Sequence, residues 1–393
     1  MIVIGGAYRE RCLRPDRQGL HGSGVTAAAF IATVGQAVTL HCCVDDEWRR
    51  ELSALGHSYG FSVMPRRSEK TVSFRYDQPF AAPIIRPRPD AIVKVTLEVA
   101  DDDALVFGML DADITCTATR AVYDPQSPHR PRRFSECGTA AKLAYCLNAE
   151  ELRLLVNDPD AVSGARRLLQ EERAEVVVVK LGLSGALIVS GDEVHRVPAY
   201  RSGGAMTIGS GDIFAAAFAR LWLRGTDAVE AADAASRATA RYTVAGNAID
   251  AALDEAPLDA LAPWSGDVYI AAPFFTLAER ALLEDVVDSV LGISGLRPRS
   301  PLHEVGVGDP VTIARGDLEL LRACGRVLAI LDGRDPGTLF EVGYAVRNGI
   351  PVFAASTSTR DAPLDRGELR MIVGSEVPVY RDFAEALVAV ATA

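Results

Sequence analysis

Short apolar segments that end in Gly or Asp alternate with alanine-rich amphipathic segments along most of this 393-residue chain. The first kind of segment is typical of buried strands, and the second is typical of helices that cover a sheet. Their alternation predicts βαβ units, and therefore a largely parallel sheet with helices on its faces. The pattern stops over 251–266, where Pro and Gly interrupt it, and then begins again. We therefore predict an α/β protein with two domains.

The predicted boundaries are residues 1–255 for the first domain, 256–266 for a linker and 267–393 for the second domain. In the first domain we predict strands at Met1–Ile4, Val38–Cys43, Ile92–Val95, Ala104–Phe107, Val176–Lys180 and Ala186–Val189, and helices at Gly24–Thr33, Asn148–Val156, Ala161–Arg173, Asp212–Arg224 and Ala228–Val244. In the second we predict strands at Val268–Ala271, Val327–Leu331 and Pro351–Ala355, and helices at Leu277–Leu291, Asp317–Cys324 and Thr338–Asn348. The proline-rich segment 71–89 is predicted to be an edge hairpin or flap.

Composition excludes several classes of protein. The net charge of −11 has the wrong sign for a chain whose main partner is nucleic acid. No apolar run has the roughly 20 residues that a membrane helix needs. The seven cysteines are scattered, without the C-x-x-C spacing of many zinc sites. We therefore expect a cytoplasmic protein that acts on small molecules and binds neither nucleic acid nor membrane.

Phosphate-binding motifs that depend on a lysine are absent from the sequence. The chain has four lysines, and none follows the glycine that the G-x-x-x-x-G-K-[ST] motif requires. The dinucleotide motif G-x-G-x-x-G and the zinc motif H-E-x-x-H are also missing. Any phosphate chemistry must therefore use other groups.

Gly209-Ser210-Gly211-Asp212 precedes an apolar helical segment and is the first candidate for such groups. Two glycines at a helix start let backbone N–H groups converge on an anion, where the helix dipole is positive. A carboxylate beside that anion hole can take the proton from an attacking hydroxyl. The alternative is a simple turn with Asp212 as a helix cap, and the four residues alone leave both interpretations open.

Residues 1–250 resemble the ribokinase-like, or PfkB, family of carbohydrate and nucleoside kinases. The resemblance rests on four motifs in order: His21-Gly-Ser-Gly-Val-Thr26, the Asn148-x-x-Glu151 motif, the strand and glycine turn of 176–189, and Gly209–Phe214. It implies a three-layer α/β/α fold, ATP and Mg²⁺ as cofactors, and Asp212 as the catalytic base. The implied nucleotide-binding residues are Gly182, Gly185, Gly209, Ser210, Gly211, Asn148 and Glu151, with Glu151 linked indirectly to Mg²⁺, and the implied substrate-binding residues are Gly22, Gly24 and Thr26.

Some family positions differ in this chain. An early substrate-binding Asp has no counterpart in 5–10, Met206 stands where the second signature begins with Asp, and Asp233 replaces the Asn on the adenine side. The differences leave two possibilities: a kinase with another acceptor, or a kinase fold kept as a ligand sensor.

In the second domain, a predicted strand ends at an acidic loop and leads into Asp335-Pro-Gly-Thr338-Leu-Phe-Glu341. Ligands bind at the carboxyl ends of strands in α/β folds. The alternative is structural: Thr338-x-x-Glu341 has the pattern of a capping box, which would place Glu341 in the first turn of the helix.

Residues 267–393 resemble the nucleoside 2-deoxyribosyltransferase family, whose Asp-x-Gly-Thr-x-x-Glu-x-Gly-Tyr-Ala motif matches 335–345. The resemblance implies a smaller flavodoxin-like or Rossmann-like α/β domain with Glu341 as the nucleophile, assisted by Asp335 and Asp317. The implied substrate-binding residues are Tyr269, Pro273, Phe274, Phe275 and Gly337. Arg370, near the family's C-terminal Asn position, is a candidate for a 5′-phosphate, with a solvated surface arginine as the alternative.

The two resemblances together predict a fused enzyme of nucleoside metabolism. One activity breaks or transfers N-glycosidic bonds of nucleosides or nucleotides, and the other phosphorylates a sugar or nucleoside with ATP. The alternative is a glycosyl-transfer enzyme whose kinase-like domain only senses a nucleotide. We also expect a homo-oligomer, because sites of the transferase family are shared between subunits.

Overall fold

A computed structural model describes residues 1–127, 130–245, 249, 252, 256–306, 308–357 and 369–393. The chain divides into two compact units, Met1–Asp77 with Ala82–Leu261, and Gln78–Ala81 with Ala262–Ala393. The domain boundary at residue 255 stays a prediction, since 253–255 lie outside the described residues.

Two sheets form the first unit. Its described strands are β1 (Ile2–Ile4), β2 (Tyr8–Cys12), β3 (Arg17–His21), β4 (Thr39–Val44), β5 (Ser62–Arg67), β6 (Ser73–Tyr76), β7 (Ile84–Arg86), β8 (Val95–Phe107), β9 (Ala112–Asp124), β10 (Gly138–Asn148), β11 (Val176–Lys180), β12 (Ala186–Ser190) and β13 (Glu193–Val197). The larger sheet has the order β13-β12-β11-β10-β9-β8-β1-β4-β5, and the smaller has β3-β2-β6-β7. From β5 to β11 all neighbours in the larger sheet are parallel.

Helices cover both faces of the larger sheet. They are α1 (Ser23–Thr33), α2 (Arg49–Tyr59), α3 (Ala149–Val156), α4 (Ala161–Glu172), α5 (Ser210–Trp222) and α6 (Ala228–Ala245). Val176 and Val178 of β11 pack in one apolar cluster with α1, α5 and α6. Val177 and Val179 pack in the other, with α3 and α4. This alternation follows from the two-residue period of a strand and confirms the predicted three-layer α/β/α arrangement.

The parallel strands β8 and β9 are bent. Their register pairs Val95 with Ala112 and Phe107 with Asp124. The chain from Phe107 to Ala112 reaches at most about 18 Å, whereas a straight strand of this length would extend about 43 Å. Each strand must therefore turn back on itself. The register omits Asp102, and the Asp103 amide donates to Asp101 Oδ1 at 3.1 Å, which places the bend of β8 at these residues. Because the strands bend, they need no crossover helix.

The second unit contains a parallel sheet flanked by helices. Its described strands are β14 (Gly266–Ala271), β15 (Leu296–Arg299), β16 (Arg326–Ile330), β17 (Val352–Ala355) and β18 (Val379–Tyr380), and its described helices are α7 (Leu277–Leu291), α8 (Pro301–Glu304), α9 (Pro310–Ala323), α10 (Pro336–Arg347), α11 (Arg370–Gly374) and α12 (Phe383–Thr392). The strand order is β15-β14-β16-β17-β18, all parallel. This is the 2-1-3-4-5 order of flavodoxin-like sheets, in which ligands bind between the first and third strands.

Most predicted elements are present within a few residues of their expected bounds, and the hairpin expected in 71–89 is formed by β6 and β7. The strand predicted at Ile92–Val95 is wrong, because β8 begins only at Val95. The helix predicted from Asp317 begins at Pro310, since Asp309 caps it by accepting from two backbone amides. Among the described residues, no helix is both long and apolar enough to cross a bilayer.

Candidate active sites

Asn148, a predicted nucleotide-side residue of the first unit, lies where parallel strands end, together with two residues that the sequence analysis did not single out. Asp124, Asn148 and Lys180 are the last residues of β9, β10 and β11, which are neighbours in the sheet. Since parallel strands carry their carboxyl ends to the same edge, these side chains converge at the position where α/β folds bind ligands.

Helix α5 begins at this edge with Gly209 as its N-cap. Gly209 has φ 82°, in the left-handed region, and a Cβ there would lie 2.6 Å from the Tyr242 hydroxyl oxygen. A glycine is therefore required. In the first turn, the Ser210 amide donates to the Thr207 carbonyl at 3.0 Å, and the Asp212 and Ile213 amides donate to the Gly209 carbonyl at 3.1 and 3.0 Å. Three of the amides at this helix start are thus engaged within the turn.

The Asp212 carboxyl lies in the first turn of α5 and keeps some exposure to solvent. Gln126 Nε2 donates to its Oδ1 at 2.5 Å. Burial among protein groups, with the negative charges of Glu10 and Asp124, raises the pKa of Asp212 to about 7, although the Gln126 hydrogen bond and Lys180 oppose the shift. A carboxylate with a pKa near neutrality is suited to accept a proton from a hydroxyl.

Asn148 and Glu151 form a capping box at the start of α3. The Glu151 amide donates to Asn148 Oδ1, and the Asn148 amide donates to Glu151 Oε2, each at 2.8 Å. The other carboxylate oxygen of Glu151 accepts from the Ser127 amide at 3.0 Å. Burial and the nearby Asp124 charge raise the pKa of Glu151 to about 7. The capping geometry accounts for both residues structurally, and the charge of Glu151 still faces the Asp124–Lys180 pair.

The predicted glycine turn connects β11 to β12. Gly182 and Gly185 have φ of 58° and 83°. A Cβ on Gly185 would lie 2.0 Å from the Val197 carbonyl oxygen, so the close approach of β13 requires this glycine. Gly182 is exposed and has open space at the equivalent position.

The predicted substrate-side residues Gly22, Gly24 and Thr26 are buried at the start of α1. Gly22 has φ 94°, and the Gly24 amide donates to the Gly6 carbonyl at 3.0 Å. The sequence showed no counterpart of the family's early Asp. The structure places Glu10, from β2, 3.8 Å from Arg17, whose guanidinium donates to the Ile208 carbonyl just before α5, and the negative charge of Glu10 contributes to the raised pKa of Asp212.

Sequence reasoning also missed Asp124, Gln126 and Lys180 as site residues. Lys180 Nζ donates to Asp124 Oδ2 at 2.5 Å, and Asp124 is fully buried. Lys180 ends a predicted strand, and Asp124 follows the apolar run Ala121–Tyr123. A charged residue at the end of such a run is the signal that could have identified them. Asp233, the replacement for the adenine-side Asn, accepts from Tyr200 and Arg237, whose guanidinium carbon lies 4.1 Å from the Tyr200 ring centroid.

In the second unit, the predicted nucleophile Glu341 accepts a hydrogen bond from Tyr269. Tyr269 lies on β14 and is fully buried, and its hydroxyl donates to Glu341 Oε1 at 2.6 Å. Burial raises the pKa of Glu341 to about 7, the negative charges of Asp317 and Asp335 act in the same direction, and the Tyr269 hydrogen bond lowers it. The site therefore lies between β14 and β16, where the sheet order reverses.

Glu341 is not part of a capping box, so that alternative is wrong. Helix α10 begins at Pro336, and its cap is Asp335, whose Oδ2 accepts from the Thr338 amide at 2.7 Å and the Thr338 hydroxyl at 3.0 Å. Glu341 therefore lies in the second turn, where no backbone amide needs its carboxylate. A side chain at position 337 would crowd this cap, because a Cβ on Gly337 would lie only 3.0 Å from Asp335 Oδ2.

Asp317, on α9, supplies a third carboxylate. Among the described residues its buried Oδ1 has no hydrogen-bond partner, and burial raises the pKa of this group. In the loop after β14, Pro273 is buried, whereas Phe274 and Phe275 are stacked with ring centroids 5.3 Å apart and Phe275 is 70% exposed. Such a ring can stack on a planar base. Arg370 is exposed at the start of α11.

We predict that Tyr269→Phe shifts the acid limb of the pH profile for glycosidic cleavage to higher pH. Removing the hydroxyl removes a hydrogen bond that stabilises the Glu341 carboxylate, so the pKa of Glu341 rises further above about 7. A nucleophilic carboxylate is active when deprotonated, and the variant should therefore need a higher pH to reach its plateau. A profile of kcat/KM for base release between pH 5 and 9 tests this shift, and an unchanged acid limb would contradict it.

Comparisons with known proteins match a different family to part of each unit. Residues 116–252 match the family model of the pfkB family carbohydrate kinases, and residues 268–379 match that of nucleoside 2-deoxyribosyltransferase. Deoxyribokinases from Salmonella typhi and Salmonella typhimurium are each 33% identical over 103 residues, which is 25% of this chain. The match spans 33% of the length of these relatives.

Solved structures similar to this chain include three sugar kinases. Ribokinase from Thermotoga maritima is 17% identical with a TM-score of 0.47, and the match covers 64% of this chain and 94% of the other. Fructokinase from Vibrio cholerae O395, bound to fructose, ADP and calcium ion, is 14% identical with a TM-score of 0.47 and coverages of 65% and 96%. Phosphofructokinase-2 from Escherichia coli, in complex with substrates and products, is 16% identical with a TM-score of 0.48 and coverages of 64% and 96%.

Proposed function

Because the chain joins a domain of the PfkB carbohydrate kinase family to a domain of the nucleoside 2-deoxyribosyltransferase family, we propose that it is a bifunctional enzyme of nucleoside metabolism. The second unit cleaves or transfers the N-glycosidic bond of a deoxynucleoside, nucleoside or nucleotide. The first unit phosphorylates a sugar or nucleoside with ATP. The observation that carries the proposal is the presence of a separate carboxylate site in each unit, each centred on an acid whose pKa is about 7.

In glycosidic cleavage, the Glu341 carboxylate attacks the anomeric carbon, the bond to the base breaks, and a glycosyl ester forms on Glu341. Water or a second base then resolves the ester. Tyr269 holds the carboxylate through its 2.6 Å hydrogen bond. The negative charges of Asp317 and Asp335 stabilise the positive charge that develops on the sugar ring, and an acid in this group can protonate the leaving base.

In phosphoryl transfer, Asp212 takes the proton of the acceptor hydroxyl as that oxygen attacks the γ-phosphorus of ATP. Gln126 holds the Asp212 carboxyl through a 2.5 Å hydrogen bond. The start of α5 presents its positive dipole to the phosphates.

The residues around α5 fit the predicted ATP and Mg²⁺. The negative charge of Asp124 raises the pKa of both Glu151 and Asp212, and the charge of Lys180 lowers the pKa of both. Within the described part of the chain, no group of three or more acidic, His or Cys side chains is arranged to hold a metal ion alone. This arrangement fits a metal that arrives with the nucleotide, with Glu151 acting through water. Bound Mg²⁺ would neutralise phosphate charge.

The likeness to deoxyribokinases supports a coupling of the two activities. Cleavage with water releases a free pentose or pentose phosphate, and a pentose is an acceptor for a sugar kinase. Two active sites on one chain raise the effective concentration of a shared intermediate. We therefore favour a released deoxypentose or pentose as the acceptor.

The second candidate function keeps the kinase fold as a nucleotide sensor that regulates the glycosidic activity. Its support is the adenine-side Asp233, which is held by Tyr200 and Arg237 within the protein. A sensor would bind nucleotide without turning it over.

Product analysis tests both functions at once. The purified full chain is incubated with mixed nucleosides and nucleotides, with and without ATP and Mg²⁺, and products are identified by mass spectrometry. Free base with a phosphorylated sugar and ADP supports the bifunctional enzyme. Free base whose rate changes with ATP, without ADP, supports the sensor. The absence of free base and of exchanged nucleosides under all conditions would contradict the glycosidic function.

A further inference from the structure

Lys180 lies in the 176–189 segment that resembles the nucleotide-site strand of the kinase family, but the resemblance implied no role for this side chain. It ends β11, and its side chain is 16% exposed. Its Nζ lies 3.5 Å from the position that a Cβ of Gly211 would occupy, and therefore at the start of α5. The chain has four lysines and no lysine-based phosphate loop. The fold thus brings one of these four lysines to the start of a helix.

We propose that Lys180 is a catalytic residue of phosphoryl transfer, and that its ammonium group contacts the phosphoryl group that passes from ATP to the acceptor hydroxyl. This inference rests on the proposed kinase function. It assigns the cation that stabilises the transferring group to β11, beside the glycines of the anion hole.

Lys180 can supply hydrogen-bond donors to a phosphate that amides at the start of α5 do not supply. Three amides of the α5 start already donate to the Thr207 and Gly209 carbonyls. An ammonium has three N–H donors, and among the residues that the structure describes that of Lys180 makes one hydrogen bond, to Asp124. Two donors are therefore left for phosphate oxygens, next to the positive end of the helix dipole.

The balance of charge among the carboxyls of the site also favours Lys180. The carboxyls of Asp124, Glu151 and Asp212 interact with Lys180, which is the cation common to the pKa shifts of all three. Without Lys180, these three carboxyls would present only negative charge to a nucleotide polyphosphate. Another cation near the start of α5, Arg17, is paired with Glu10 at 3.8 Å and donates to the Ile208 carbonyl at 3.2 Å. Asp124 is fully buried, so it also holds the ammonium in place by a short ion pair.

The step itself is an in-line displacement. The acceptor oxygen forms a bond to the γ-phosphorus, the bond from that phosphorus to the β–γ bridging oxygen breaks, and ADP leaves with the electron pair. The hydroxyl proton passes to Asp212. Lys180 keeps its protons and its charge, and stabilises the negative charge on the equatorial oxygens of the transferring group.

The test compares Lys180→Met with a matched control, Lys142→Met, in the full chain. Lys142 lies on β10 with a 58% exposed side chain. We expect Lys180→Met to lower kcat for ADP formation by about 100- to 1,000-fold, as the loss of one stabilising donor does in other enzymes. Base release by the second unit should be unchanged in both variants, and the Tm of the first unit, compared below with that of a double variant, reports whether the substituted unit is folded.

A double variant separates catalysis from structure, because Lys180→Met leaves Asp124 buried without its partner. Combining Asp124→Asn with Lys180→Met removes both charges and should restore Tm, while kcat stays low. Recovery of kcat in the double variant, or a kcat for Lys180→Met within about threefold of wild type, would overturn the inference. A wild type that forms no ADP with any acceptor instead overturns the kinase function on which the inference rests.

Discussion

Replacing Glu341 with alanine is expected to lower the rate of base release by at least about 1,000-fold, equivalent to roughly 4 kcal/mol of transition-state stabilisation. The reason is that the glycosyl ester cannot form without the carboxylate that Tyr269 orients. The measurement is release of free base from deoxynucleosides and deoxynucleotides, followed by chromatography. ADP formation by the first unit should be unaffected, because Asp212 and its partners all belong to that unit.

The matched control is Glu319→Ala. Glu319 lies on α9, the helix that carries Asp317, but its side chain is exposed. The control should keep the wild-type rate. Mass spectrometry of wild-type protein quenched during turnover should show a sugar adduct on Glu341. An adduct on another residue, or base release that survives in Glu341→Ala, would refute the assignment of the nucleophile.

The second large effect is expected for Asp212→Asn, which should lower kcat for ADP formation by about 100- to 10,000-fold. The amide cannot take the proton of the acceptor hydroxyl. Because burial raises the pKa of Asp212 to about 7, the wild-type kinase activity should also fall as the pH drops below about 7, where this carboxyl becomes protonated. A coupled assay of ADP formation between pH 5.5 and 9 measures both effects.

Asp192→Asn is the corresponding control, since Asp192 is exposed in the turn between β12 and β13. It should retain the wild-type rate and pH profile. If Asp212→Asn forms ADP normally, the first unit does not use this carboxylate as a base. If neither the wild type nor the control forms ADP, while ATP still alters base release, the sensor function is favoured.

Local patterns were sufficient to predict candidate site residues but not their environment. The strand at Val176–Lys180 and the helix that follows Gly209 could be predicted from the sequence. The apolar run and the pair of glycines that indicate them involve residues that are close together in the chain. Asp124 is 56 positions from Lys180, and no local pattern links them. Their ion pair exists because β9, β10 and β11 are adjacent in the sheet.

Helix α10 shows how capping-box spacing in the sequence predicted a cap that the helix does not have. Thr338 and Glu341 have capping-box spacing, but Asp335 caps the helix one turn earlier and Pro336 is suited to its first position. Competing caps within one segment cannot be ranked from spacing alone. The bends of β8 and β9 were missed for a related reason, since the register between strands is a tertiary property.

The amino-acid sequence by itself determined the α/β class and the two families, and it predicted Asp212 and Glu341 as the principal acids, because these follow from periodicity and from motifs whose residues are close together in the chain. The tertiary structure alone decided which groups surround those acids. Gln126 and the charges of Glu10 and Lys180 act on Asp212, and Tyr269 and Asp317 act on Glu341, only because the fold brings together strands, helices and loops that are distant in the chain. Since burial and neighbouring charges set a pKa, the chemistry of both acids depends on contacts that no local pattern encodes.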